Sequence, residues 1–257
     1  CDDKSKSLQF NSVTIETIFE DSLSIRAIEL MDGSLAFAAD KGTFGSLDLR
    51  KDMVRTKVQA YDSILPQFRA VAHTATDFFM LSISNPALLY KTGDQGDMVL
   101  VYKEEGEKVF YDAMKFWNDK EGIAIGDSMD GCLSIIITRD GGKTWKKTPC
   151  SSLPKAVEGE GAFAASNTNI DMVGENTWLA TTKGNIYHSP DKGKTWEVFS
   201  TPVLKEKETE GIYSISFFDA KLGIAIGGDY TKPENNRSNK ALTKDGGKTW
   251  QLVSDGQ

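Results

Sequence analysis

The sequence predicts an all-β chain, a β-propeller of four-stranded blades, and three observations lead there. An eight-residue pattern returns along the chain at a spacing of about 50 residues. A longer apolar segment ahead of it returns at twice that interval. Short runs rich in β-branched and aromatic residues alternate with Gly, Asp, Asn and Pro, and no stretch carries a clean helical stripe.

The pattern is complete at Thr138–Trp145 (TRDGGKTW), Ser189–Trp196 (SPDKGKTW) and Thr243–Trp250 (TKDGGKTW). A weakened copy begins at Thr92-Gly93-Asp94, with Met98 and Val99 where the last Thr and Trp would stand. Asp94, Asp140, Asp191 and Asp245 are separated by 46, 51 and 54 residues. The longer segment occurs as FWNDKEGIAIGD from Phe116 and as FFDAKLGIAIGG from Phe217, 101 residues apart. Units that repeat at this length cannot bury their apolar faces alone and must stack.

Five units follow in order, at about 22–60, 66–103, 109–150, 160–200 and 211–255. The fifth shows the pattern most plainly: strands are expected at 212–217, 223–227, 240–243 and 249–253. Residues 1–8 are polar and read as a flexible tether. The alternating segment 10–19, FNSVTIETIF, is expected to form a strand that closes the ring, with 9–257 as a single domain.

The eight-residue pattern has a mechanical reading. The aspartate carboxylate accepts turn N–H groups, a glycine two residues on supplies positive φ, and the tryptophan enters the outer strand and packs between blades. Asp94, Asp140, Asp191 and Asp245, with Trp145, Trp196 and Trp250, are therefore structural. The Gly142-Lys143-Thr144 run imitates the end of a phosphate loop, but Ile137 stands where that loop needs glycine. His73 and His188 are the two histidines and lie far apart, so neither a zinc site nor a Ser-His-Asp arrangement is expected. No cofactor or metal is expected. A formal charge of −7 without a basic cluster argues against nucleic-acid binding, and no run of residues is long and apolar enough for a membrane helix.

These repeats have the S/T-x-D-x-G-x-T-W form of Asp-box (BNR) repeats, which occur in sialidases and other β-propellers. With the GIAIGD segment ahead of the box, the chain resembles the exported propellers related to photosystem II stability and assembly factors. Lipoprotein members of that group are often labelled oxidoreductases, although no redox motif here carries that label. The resemblance implies a seven-bladed ring, of which five blades are visible here, the C-terminal blades lying outside this sequence. A five-bladed ring with an added strand is the alternative. Beginning at Cys1, the chain also resembles a bacterial lipoprotein after signal-peptide removal. That likeness implies lipidation of Cys1, an extracytoplasmic location and membrane contact through the lipid alone.

Aligning the inner strands on Phe116 and Phe217 brings Arg26, Arg69, Asp112 and Tyr213 to one level, with Glu160 and Asn167 beside the corresponding strand of the fourth unit. Such a ring at a channel mouth suits a carboxylate or a sugar; polar lining bridged by water is the plain alternative. The expected function is a non-catalytic scaffold that binds a protein partner or a carbohydrate. The runner-up, a sialidase-like hydrolase, would need three converging arginines from a total of six. Loops 127–131 and 229–239, with Asp127, Asp130, Asp229, Tyr230 and Arg237, are further contact surfaces. Cys132 and Cys150 are placed opposite one another around the third turn, which predicts a disulfide in an oxidising compartment.

Overall fold

The computed structural model describes residues 12–93, 96–164 and 167–253. Cys1, Asp94 and the tether lie outside them. Twenty strands form five four-stranded antiparallel sheets, each with its strands in chain order from inner to outer. The first sheet holds β1 (Ile25–Met31), β2 (Ser34–Ala39), β3 (Thr43–Asp48) and β4 (Met53–Val58). The second holds β5 (Phe68–His73), β6 (Phe78–Ser82), β7 (Ala87–Thr92) and β8 (Met98–Glu104). The third holds β9 (Tyr111–Phe116), β10 (Gly122–Met129), β11 (Cys132–Thr138) and β12 (Lys146–Lys147). In the fourth are β13 (Ile170–Val173), β14 (Asn176–Ala180), β15 (Asn185–Ser189) and β16 (Glu197–Ser200). The fifth comprises β17 (Glu210–Phe217), β18 (Gly223–Asp229), β19 (Lys240–Thr243) and β20 (Gln251–Leu252).

Sheet stacks on sheet through apolar clusters, as blades do. Phe68, Met80 and Leu88 meet Ala36 and Ala38 between the first and second sheets. Phe79 and Leu89 meet Met114, Ile136 and Trp145 between the second and third. Ile125 and Ile135 meet Leu179 and Tyr187 at the next junction, and Trp178 and Ile186 meet Ile215, Phe217 and Trp250 at the last. No buried cluster joins the fifth sheet to the first among the described residues. Ile28 and Leu30 on β1 are 54% and 64% exposed, and Ile226 on β18 is 42% exposed.

The three complete turns are built alike. Thr138 Oγ1 donates to Asp140 at 2.9 Å and accepts the Gly142 N–H at 2.9 Å. Asp140 also takes the Thr144 N–H at 2.9 Å and its hydroxyl at 2.6 Å. Ser189, Asp191 and Thr195 repeat the arrangement, as do Thr243, Asp245 and Thr249. Gly142, Gly193 and Gly247 have φ of 74°, 80° and 91°, which L side chains rarely adopt. Each tryptophan immediately precedes its outer strand. Trp145 packs edge-on to Phe79 of the neighbouring sheet, 6.4 Å between centroids.

Three details differ from the sequence reading. The described part of segment 10–19 forms no strand: residues 12–21 are irregular, and Val13 and Ile15 are almost fully exposed. All four places in every sheet are already filled, so its alternating pattern finds no ladder; only Phe19 docks, stacking on Phe37 at 5.7 Å. The expected loop 127–131 is instead the end of β10 and a tight turn, Asp130-Gly131, with φ of 55° and 86°, values suited to a two-residue hairpin. Cys132 and Cys150 are bonded, with Cα atoms 5.6 Å apart, but not as an opposed pair. The ladder runs Ile136↔Lys147 and Ile137↔Lys146, one step off the assumed register, and Cys150 opens a short 3-10 turn beyond the strand.

Candidate functional site

Four of the five inner strands carry a β-bulge near their N-terminal ends, and the extra residues are Arg26, Arg69, Asp112 and Tyr213. A bulged residue escapes the pleat, and its side chain is re-aimed. In the fourth unit, residues 161–164 and 167–169 lie ahead of the inner strand, where the other units have a single extra residue. Asn167 donates to the Val71 carbonyl at 2.9 Å and the Met114 carbonyl at 3.0 Å, and accepts the Met114 N–H at 2.8 Å. The fourth blade is thereby tied to the inner strands of the second and third.

Residues 161–164 help to line a cavity of about 990 Å³. Arg26 and Arg69 form one wall; Gly161, Ala162 and Phe163 form another, with Asp127 and Tyr230 also lining it. Neither arginine has an ion-pair partner within 4.0 Å among the described residues, the Arg26 Nε–H donating only to Ser24 Oγ at 3.1 Å. Burial and the adjacent Arg26 charge lower the Arg69 pKa, with Asp112 acting in the opposite direction. Further along the inner strands the channel charges are paired. Lys115 meets Asp171 at 2.7 Å, and His73 meets Glu29 at 3.1 Å. The unpaired guanidiniums are thus a feature of the mouth.

Beside Arg69 sits Asp112, fully buried, with neither carboxylate oxygen hydrogen-bonded among the described residues. Desolvation raises its pKa well above the usual range and the charge of Asp127 adds to this, while the nearby Ala162 N–H, too poorly aligned for a hydrogen bond, and the Arg69 charge act in the opposite direction. Asp127, on β10, accepts the Ala162 N–H at 3.3 Å, and burial pushes its pKa up to about 6. Gly161 is needed here, because a Cβ at that position would collide with the Asp127 carboxylate.

Other expected site residues lie elsewhere. Glu160 is buried and saturated: Thr181 Oγ1, Asn185 Nδ2, Tyr187 OH and the Val157 N–H all donate to it at 2.7–2.9 Å. It anchors the segment ahead of β13 and does not present its carboxylate to a ligand. The Tyr213 ring lies beneath Phe163, 4.8 Å between centroids, and its hydroxyl points to the Thr209 carbonyl at 3.4 Å. Asp229 caps its own turn through Thr231, Asp130 occupies the hairpin turn, and Arg237 is on the exposed 230–239 loop away from the cavity. Phe163 and Lys183 line the cavity and were not anticipated. The segment ahead of β13 that carries Phe163 has no counterpart in the other units, which was the available signal, whereas Lys183 lies in the β14–β15 turn. Among the described residues no group of three His, Cys, Asp or Glu is placed to hold a metal ion, and no helix is long and apolar enough to cross a membrane.

Comparison with known proteins places the architecture. Residues 133–257, just under half of the chain, match the family model described as Sortilin, neurotensin receptor 3 (Sortilin-Vps10). No curated protein matches the chain significantly in sequence. The WD40 repeats of RRP9 are 11% identical, with a TM-score of 0.62 over 91% of this chain and 65% of that one. U3-55K is 11% identical, with a TM-score of 0.63 over 93% and 69%. A looser likeness, TM-score 0.44 at 13% identity over 90% and 81%, is to YCF48 bound to a D1 peptide. The chain spans about two thirds of the length of the first two structures. At these identities the likeness shows the β-propeller fold alone.

Proposed function

We propose that this propeller is a non-catalytic binding scaffold that holds an anionic group of a protein partner or carbohydrate in its mouth cavity. The observation carrying this reading is the pair of ion-pair-free guanidiniums, Arg26 and Arg69, on one wall of a 990 Å³ cavity. Planar guanidinium forks match a carboxylate in geometry and charge. Phe163 and Tyr230 offer flat faces to a ligand body, while Glu158, Lys183 and Glu208 give the rim mixed charge. A hydrolase reading is weaker. Glu160 is consumed by four donors, Tyr213 lies under Phe163, and two arginines, not three, line the cavity. A redox reading has no supporting residue.

The repeated turns support membership of the Asp-box propellers. The Cys132–Cys150 disulfide supports an oxidising, extracytoplasmic setting. Lipidation of Cys1 belongs to the same proposal, and mass spectrometry of the native N-terminus tests it. So does a seven-bladed ring, supported by the exposed apolar residues on the first and fifth sheets. A native protein of 28.2 kDa without a companion fragment would count against that ring.

The test of the binding reading is the Arg26→Ala, Arg69→Ala double variant against a panel of carboxylate-bearing sugars and acidic peptides. Losing two charge-assisted contacts should weaken binding by about 3 kcal/mol, more than a hundredfold. Unchanged affinity for every ligand the wild type binds would refute it.

A further inference from the structure

We propose that Asp112 and Asp127 are a proton-binding carboxyl pair set beneath the arginine wall, so that binding an anion at the mouth takes up a proton; this rests on the anion-binding reading above. The geometry carries it. Asp112 is the bulge residue of β9 and is fully buried, with both oxygens lacking partners among the described residues. Burial there disfavours the charged form, and the Ala162 N–H and the Arg69 charge offset this only in part. Asp127 is close enough for its charge to act on Asp112 and reaches the cavity surface. It also holds the Gly161–Ala162 backbone, which forms the cavity wall facing the arginines. The two carboxyl groups form a coupled pair, and its outer member opens to the ligand.

Charged groups from several neighbouring elements line the same cavities as Asp127. Arg26 and Arg69 approach from β1 and β5, and Asp112 from β9. The 157–161 segment brings Glu158, while Glu160 on that segment is turned to Tyr187 and Asn185. Lys183 and Glu208 lie across the cavity, and Glu107 and Lys108 border an adjoining cavity that also touches Asp127. With charges of both signs at the rim, the ionisation of Asp127, which lines the same cavity as Arg26 and Arg69, changes the charge an entering anion meets. Its pKa, raised by burial to about 6, puts that change within reach of ordinary conditions.

The sign follows. An ionised Asp127 repels an anion entering the cavity it lines; a protonated Asp127 does not. Affinity therefore rises as pH falls through about 6, and by reciprocity a bound anion moves the Asp127 titration upward.

The experiment measures binding of glucuronate, whose carboxylate stays ionised throughout, at about pH 8 and about pH 5, to wild type and Asp127→Asn. Wild type should bind about tenfold more tightly at the lower pH, and saturating glucuronate should raise the Asp127 carboxyl titration by about one unit. Asp127→Asn should bind tightly at both. Binding that is pH-independent in wild type, or equally pH-dependent in Asp127→Asn, overturns the proton coupling and leaves anion binding standing. No binding by either protein at either pH overturns the anion reading and the coupling with it. If Asp127→Asn fails to fold, carboxyl NMR of wild type decides: an Asp127 titration unmoved by bound glucuronate refutes the coupling.

Discussion

Desolvation and partner supply decide what each acidic residue does, and Glu160 and Asp112 show the two extremes. Glu160 is buried with four donors, so it is a structural anchor; Asp112 is buried with no hydrogen-bond donor among the described residues, and burial raises its pKa well above the usual range. Removing the Glu160 carboxylate strands the hydroxyls of Thr181 and Tyr187 and the Asn185 amide. Glu160→Ala should cost about 2–4 kcal/mol in urea unfolding, and a loss below about 0.5 kcal/mol would contradict the anchoring role. Asp112 predicts the opposite sign. Its folded-state pKa lies above its unfolded value, so the stability it contributes is complete at low pH and is lost as pH rises. Asp112→Asn should therefore raise the urea midpoint at about pH 8, with the gain shrinking toward about pH 4. A gain that grows on acidification would refute this. The sequence register was enough to align Arg26, Arg69, Asp112 and Tyr213, because each precedes the same strand positions. It could not show that Glu160 is consumed, since three of its four donors lie 21–27 residues away, on and beside the β14–β15 hairpin.

At the scale of elements, the repeated turn works through carboxylate geometry and a backbone that only glycine accepts easily. In Gly142 two demands coincide: φ is 74°, and a Cβ would collide with the Phe79 ring of the neighbouring sheet. Gly131 has φ of 86° and nothing within 4 Å of its Cβ position. Gly131→Ala should thus show conformational strain alone, about 1 kcal/mol, and Gly142→Ala strain plus overpacking, about 2–4 kcal/mol. Equal losses in thermal unfolding would deny the turn its role in blade packing. These turns were legible because Asp, Gly and Trp at fixed offsets encode them locally. The Asp130-Gly131 hairpin carries an equally local signal, but the expected loop 127–131 takes in the last three residues of β10, which runs to Met129. The alternation in 12–19 misled for another reason: a strand needs a free ladder as well as a pattern.

Across the whole molecule, four apolar junctions join five sheets, and the outer faces of the first and fifth sheets keep exposed isoleucine and leucine. That distribution predicts a graded response. Ile125→Ala, inside the third junction, should cost about 2–5 kcal/mol, while Ile28→Ala on the open face should stay within about 0.5 kcal/mol. A comparable loss at Ile28 in denaturant unfolding would show that its face is covered. The blade count and stacking order were readable from the spacing of repeats. The tie that Asn167 makes to the second and third blades was not, since it has no second copy to reveal it.

The account stands most directly on the mouth cavity, and NMR mapping of glucuronate onto the protein with labelled arginine side chains and backbone amides tests it. Shifts should centre on the Arg26 and Arg69 Nε–H groups and on the amides of Gly161 and Ala162. Shifts confined to other surfaces, or none with ligand in large excess, would contradict the assignment of this cavity as the binding site.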